Sequence, residues 1–262
     1  MYNNYMKNFD NPIDEMLYIL IKENEQKIPE NLSNSDKRWL IDSLVVVRSP
    51  GHVNERFKEL HDQMLKNENA SMAIDCEAFK FRKHFAVTKK DITDLNVECI
   101  CCETVDYMGC IVPDLKCLDN RLLIKGGLGV REECSRLNSE NGYLARTGSA
   151  FCLSGGNLNC GGVVKFILPQ VRDMLKYDVD KIKLAICSAM DILRERGVKM
   201  FAFNLDVDRI FNISQEMYIR IVINTIIDYM RKHRYKANCV FSIKDDESEN
   251  LVKGILKLKQ VY

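Results

Sequence analysis

The stretch TGSAFCLSGGNLNCGGVVKFILPQV, residues 147–171, holds two runs of strand-forming residues, Ala150 to Leu153 and Val163 to Leu168, joined by SGGNLNCGG. A tight turn between strands needs far less glycine than this connection carries. Two uses of it stay open: glycine lets backbone amides come close to a ligand, or it leaves a flexible link.

Outward from this stretch, strands and helices alternate. HFAVT at 84–88 and VECICC at 97–102 read as strands before it. After it, Ile182, Ile186, Ala189 and Leu193 recur at helical spacing, and Gly197 stops the helix. VKMFAFNLD then runs from strand into loop, and Ser214 is placed to cap a helix from Gln215 to about His233. NCVFSI at 238–243 reads as a buried strand and ESENLVKGILKLK as a last helix. Such alternation predicts an α/β fold with a mainly parallel sheet covered on both faces, and ligands at the loops beyond the strand carboxyl ends. Earlier, Ile13, Met16, Leu17 and Leu20 and the segment RFKELHDQMLKN predict helices, so residues 1–72 form a helical extension and 73–262 the main domain. In NRLLIKGGLGVREEC, Gly126, Gly127 and Gly129 interrupt what is otherwise a helical pattern.

Thirty-eight Lys and Arg against 37 Asp and Glu leave a formal charge of +1, without the broad positive field that non-specific nucleic-acid binding needs. The opening MYNNYMKNFDNPIDEM lacks the basic start and apolar core of a signal peptide, and no apolar run approaches membrane-spanning length. A cytoplasmic protein with no nucleic-acid or membrane partner is the expectation, with its 11 cysteines reduced. CICC at 99–102 lacks a second thiol pair at zinc-ribbon spacing, and GGLG at 126–129 lacks the lysine and hydroxyl residue of a phosphate-binding loop.

Four segments, in order, resemble the macrodomain family, over roughly residues 84–243, and most nearly its zinc-dependent microbial branch, which removes ADP-ribose from proteins. KKDITDLNVECI at 89–100 is similar to the family's Gly-Asp-Ile-Thr segment. There Asp91 matches the carboxylate that accepts from the adenine amino group and Ile92 the neighbouring backbone contact, a role suited to an acceptor-only side chain. MGCIVPDLKCLDN at 108–120 resembles the branch's zinc segment, with Cys110 and Cys117 at ligand positions and Leu115 where histidine is expected. Leucine cannot coordinate, and a catalytic zinc needs about three protein ligands; Asp114 or Cys134 are the available substitutes. The opening stretch keeps Thr147, Gly148, Asn157, Leu158, Cys160, Val164 and Pro169, with Lys165 in place of a strand histidine. FAFNLDVDRIFNISQEMY at 201–218 aligns with the diphosphate loop, so Asp208, Arg209, Ile210 and Phe211 join Asp91, Ile92 and Asn157 as ligand-binding candidates. Val207, Asp208 and Arg209 replace Ser-Thr-Gly, costing the room and backbone freedom that such a loop uses for phosphate. At the catalytic-loop position, where the family has asparagine, CETVDY offers Val105 or Asp106.

The resemblance implies a three-layer α/β/α sandwich with a mixed, largely parallel sheet. It implies binding of ADP-ribose or a related nucleotide-like ligand, with hydrolysis weakened or lost by these substitutions. The alternatives are a zinc-dependent hydrolase acting on ADP-ribosylated protein, and a non-enzymatic interaction module. A lipoyl-carrier-type protein is the partner class implied by the branch.

Overall fold

A computed structural model of the chain describes Phe9 and residues 11–24, 31–47, 53–105, 117–142, 145–169, 179–207 and 213–259. The main sheet runs in the order β2 (Phe85–Thr88), β7 (Asn238–Ser242), β6 (Met200–Asn204), β3 (Leu95–Thr104), β5 (Cys160–Ile167) and β4 (Ala150–Ser154). β2, β7, β6, β3 and β5 are parallel, β4 is antiparallel to β5, and the short β1 (Ile74–Asp75) pairs with the start of β3. The sheet is therefore mixed and largely parallel, and the fold is the macrodomain sandwich that the four segments predict.

Both faces of β3 are covered, so its strand is an almost unbroken apolar run. Cys99, Cys101 and Val105 face a core shared with α6 (Val179–Glu195), α7 (Gln215–His233) and α8 (Asp246–Leu258). Ile100 and Cys102 face α4 (Leu118–Gly126) and α5 (Leu128–Glu140). α6 buries Ile182, Ile186, Ala189 and Leu193 on one face, as their spacing predicts. Its end is a Schellman turn, with Val198 N donating to Leu193 O (3.0 Å) and Gly197 at φ 68°. Ser214 caps α7, its Oγ accepting from Met217 N at 3.3 Å.

α1 (Pro12–Asn24), α2 (Asn34–Val47) and α3 (Glu55–Met72) bury Met16, Leu17 and Leu20 with Ile41, Val45 and Phe57, and Leu128 of α5 joins that core. The extension thus lies against the α4/α5 layer. Among the described helices none is long and apolar enough to cross a membrane.

The glycine-rich connection between β4 and β5 sits at the amino end of the sheet, since β5 starts at Cys160 opposite Val97, near the start of β3. A Cβ on Gly155 would come within 1.9 Å of Cys160 O, and one on Gly156 (φ +56°) within 2.3 Å of Gly126 O. Asn157 N donates to that same Gly126 O at 3.1 Å. The glycines serve a close approach of backbone to backbone, with Gly127 (φ 83°) making the bend between α4 and α5. Of the two uses open at the outset, neither ligand access nor slack is needed to account for them.

Candidate ligand cleft at the carboxyl end of the sheet

The loops after the parallel strands all leave one edge of the sheet, which is where an open α/β fold binds ligands. From β2 the chain enters residues 89–94, where Asp91 caps a single 3₁₀ turn, Ile92–Asp94. Its Oδ1 accepts from Thr93 N (3.0 Å) and Thr93 Oγ1 (2.8 Å). Its Oδ2 faces Arg121 Nη1 of α4 at 3.5 Å. Burial opposes ionisation of Asp91, but the Thr93 hydrogen bonds and the Arg121 and Lys125 charges prevail and hold its carboxyl below the usual range.

Asp206 follows β6, within reach of the Arg121 charge. Burial pushes its carboxyl above the ordinary value, although it accepts from Lys244 N (3.2 Å) and the Lys244 and Arg121 charges oppose the shift. Gln215, the first residue of α7, fastens this segment by donating to Leu205 O (2.6 Å) and accepting from Val207 N (3.1 Å).

Beneath the edge, polar side chains close the ends of otherwise apolar strands. Asn204 donates to both oxygens of Glu103, at 3.0 and 3.1 Å, and to Asp206 O at 2.5 Å. Tyr218 OH stands 3.4 Å from the same carboxylate, and burial first, then Glu103, drives its phenol well above the ordinary range. On the other face Lys165, with no exposed surface, pairs with Asp119 Oδ1, while Thr104 Oγ1 donates to Asp119 Oδ2 at 2.6 Å. Desolvation disfavours the Lys165 ammonium, but Asp119 outweighs it and keeps the group protonated above the ordinary lysine range. Asp119 lies in the first turn of α4, so the pair pins that helix to the carboxyl ends of β3 and β5.

The structure therefore brings Asp91 together with Arg121, whose charge also acts on Asp206 after β6, and separates it from Asn157. Asn157, expected among the ligand-binding residues, is at the opposite end of the sheet, where its Nδ2 donates to Asp62 Oδ1 of α3 at 2.8 Å. Its place in a well-kept motif reflects the hairpin's packing on α3 and α4. Ile92 is a core residue under the cleft, and Val105 is buried in the α6/α7 core, where it presents no polar group to a ligand. Asp106, Cys110, Leu115, Asp208, Arg209, Ile210 and Phe211 lie outside the described residues.

Cys117 is at the N-cap of α4 and makes no side-chain cap. Among the described residues no group of three His, Cys, Asp or Glu is arranged to hold a metal ion. Cys134, a possible third ligand by its chemistry, is fully buried on α5, where burial raises its thiol above the ordinary value despite the nearby Lys165 charge. Asp119, next to the zinc segment, is already committed to Lys165 and Thr104. The described donors therefore do not make up a zinc site. Glu103, Asn204, Asp206, Arg121 and Tyr218 were not anticipated as site residues. The usable signal was a charged residue closing an apolar strand, as Glu103 closes VECICCET and Lys165 interrupts VVKFIL.

Residues 114–222 match the Macro domain family model. The chain is similar to the protein-ADP-ribose hydrolase of Treponema medium, at 25% identity over 253 residues that cover 92% of this chain and 96% of that protein. The protein-ADP-ribose hydrolase of Staphylococcus aureus strain COL is 24% identical, over 84% of this chain and 85% of its own length. Among solved structures, the Trypanosoma brucei macrodomain in complex with ADP-ribose superposes with a TM-score of 0.59 at 14% identity, covering 86% of this chain and 97% of that one. The Oceanobacillus iheyensis macrodomain with ADP gives 0.59 at 13% identity, covering 69% and 94%.

Proposed function

We propose that this protein binds ADP-ribose, free or attached to protein, at the carboxyl edge of the sheet, with hydrolysis weakened or lost. The observation that carries the reading is Asp91. Its side chain is 33% exposed and ionised, with one oxygen accepting from Thr93 and the other facing Arg121 at 3.5 Å. Support comes also from relatives named protein-ADP-ribose hydrolases and from a similar fold solved with ADP-ribose. Weakened hydrolysis follows from Leu115 at a metal position and from Val105, whose side chain is buried in the core.

The test is isothermal titration of the reduced protein with ADP-ribose, after elemental analysis for zinc. Saturable binding is expected, and Asp91→Ala should weaken it by roughly ten- to a hundredfold, the value of a charge-assisted hydrogen bond. No heat at millimolar ADP-ribose would sink the reading.

A second reading, zinc-dependent removal of ADP-ribose from protein, is favoured by the name of a relative matched over 96% of its length. It calls for a third ligand besides Cys110 and Cys117. One zinc per chain together with release of ADP-ribose from a modified protein would establish it, and a lipoyl-carrier-type protein is the first substrate to present. We place either activity in the cytoplasm, where cysteines are kept reduced.

A further inference from the structure

We propose that Cys152, on strand β4, is a peroxide-reactive thiol, activated by Cys99 of β3 and by Arg196 just beyond α6. The inference uses none of the cleft residues and stands independently of the nucleotide-binding reading.

Cys99 pairs with Gly162 of β5 and Cys152 with Val164 of the same strand, so the two cysteines flank β5 from opposite sides. Both side chains turn toward the core beneath α6 and α7. Any side chain at position 162 would stand between them. Gly162 has none, and a Cβ built there lies 3.4 Å from the Sγ of each cysteine. The two thiols converge over that gap, where the Cys99 S–H donates to Cys152 Sγ.

Cys152 is partly exposed, as are Cys160 and Cys187, but its surroundings differ from theirs. Burial raises the thiols of Cys160 and Cys187, and Asp191 adds to the rise at Cys187. At Cys152 the hydrogen bond from Cys99 is the largest influence and lowers the thiol below its ordinary value, with Arg196 adding to the effect while burial and Glu133 oppose it. Cys99, the donor, is raised and stays protonated. In its neutral form Cys152 Sγ also donates weakly to Leu153 O at 3.6 Å, a contact that the thiolate gives up.

A thiolate so placed attacks the terminal oxygen of a hydroperoxide. An S–O bond forms, the O–O bond breaks, and hydroxide or alkoxide leaves with the electron pair, so the sulfur is oxidised to a sulfenic acid and the peroxide is reduced. Cys99 cannot close that product into a disulfide. Strands two places apart in a sheet lie about 9–10 Å from each other, beyond the roughly 7 Å between Cα atoms that a disulfide can span. Cys99 is therefore a positioning residue, and the sulfenic acid stays open to an outside nucleophile.

The experiment treats the reduced full chain with hydrogen peroxide and dimedone, a carbon nucleophile that traps sulfenic acids, and quantifies each labelled cysteine peptide by mass spectrometry. A parallel series measures the iodoacetamide alkylation rate of each cysteine from pH 5 to 9 in the wild type and in C99A, C99S and R196Q, with thermal unfolding to confirm that each is folded. Cys152 should react roughly tenfold faster than Cys160 or Cys187 at neutral pH, with a midpoint below that of a free thiol. C99A should raise that midpoint and slow Cys152 by roughly tenfold, the equivalent of one pKa unit. C99S, which keeps a hydroxyl donor, should restore part of the rate. Arg196 is exposed, so R196Q should fold and shift the midpoint upward by less. A wild-type Cys152 that reacts no faster than Cys187, or reacts only in urea, overturns the proposal. Folded C99A and R196Q chains with the wild-type midpoint overturn it as well, and R196Q alone decides the matter should C99A fail to fold.

Discussion

The two ends of the sheet are held by different forces. At the amino end, backbone meets backbone: Gly155 and Gly156 let the β4–β5 hairpin touch Gly126, and Asn69 of α3 stitches the contact by donating to Lys125 O (2.9 Å) and Asn157 O (2.7 Å). At the carboxyl end, charged and polar side chains do the holding, through Lys165 with Asp119 and Asn204 with Glu103. An edge made by backbone proximity resists side-chain change at its glycines and offers a ligand little chemistry. An edge made of charges has donors and acceptors to spare, at a cost in desolvation. The resemblance counted both edges as one ligand site, whereas their physics divides them into a scaffold and a cleft.

The comparison is most directly broken at Lys165. Lys165→Met should destabilise the fold by about 3–5 kcal/mol, because Asp119 is left as a buried carboxylate without its cation. Asp119→Asn in the same chain should recover part of that loss, since it removes the stranded charge. Urea denaturation of the two variants checks both steps. A loss below about 1 kcal/mol in the single variant would mean that Thr104 and other partners satisfy Asp119, and that charge does not hold this end.

Gly156→Ala probes the other end. With φ at +56° and a Cβ placed 2.3 Å from Gly126 O, the loss should be about 2–3 kcal/mol, while the folded fraction keeps its affinity for ADP-ribose. If affinity fell and stability did not, the hairpin would belong to the cleft after all.

What the sequence showed and what it hid follow the same division. Helix α6, the α7 cap at Ser214 and the strands around VECICC and NCVFSI were legible because each depends on the spacing of apolar residues or on a local hydrogen bond. β5 begins earlier than its apolar run, at Cys160, because Gly162 pairs with Cys99 of a neighbouring strand and pairing asks for backbone alone. The carboxyl-edge couples were hidden because their members are far apart in sequence: Lys165 and Asp119 are separated by 46 residues, Asn204 and Glu103 by 101. Only Asp91 was marked in advance, by the motif around it. Asn157 was misplaced for a related reason: a motif records that a residue is kept and leaves open which end of a strand it serves.

The last expected effect, absent at neutral pH and growing only in acid, concerns the layer that backs the amino end. His61 of α3 is fully buried, stacks on Phe57 at 5.9 Å, and has no hydrogen-bond partner for either ring nitrogen among the described residues. Burial, with help from the Arg38 charge, lowers its pKa from 6.5 to about 4, so the folded protein keeps it neutral. The unfolded chain takes up a proton below pH 6.5 that the folded chain refuses until about pH 4. The stability associated with neutral His61 is therefore complete above 6.5 and declines as pH falls, by at most about 1.4 kcal/mol per pH unit. His61→Phe removes that slope and leaves the carboxylate contributions in place. The measurement is denaturation of wild type and variant between pH 7 and 4.5. Parallel curves would show that His61 takes up no extra proton on unfolding and that the acid sensitivity of the fold lies in other groups.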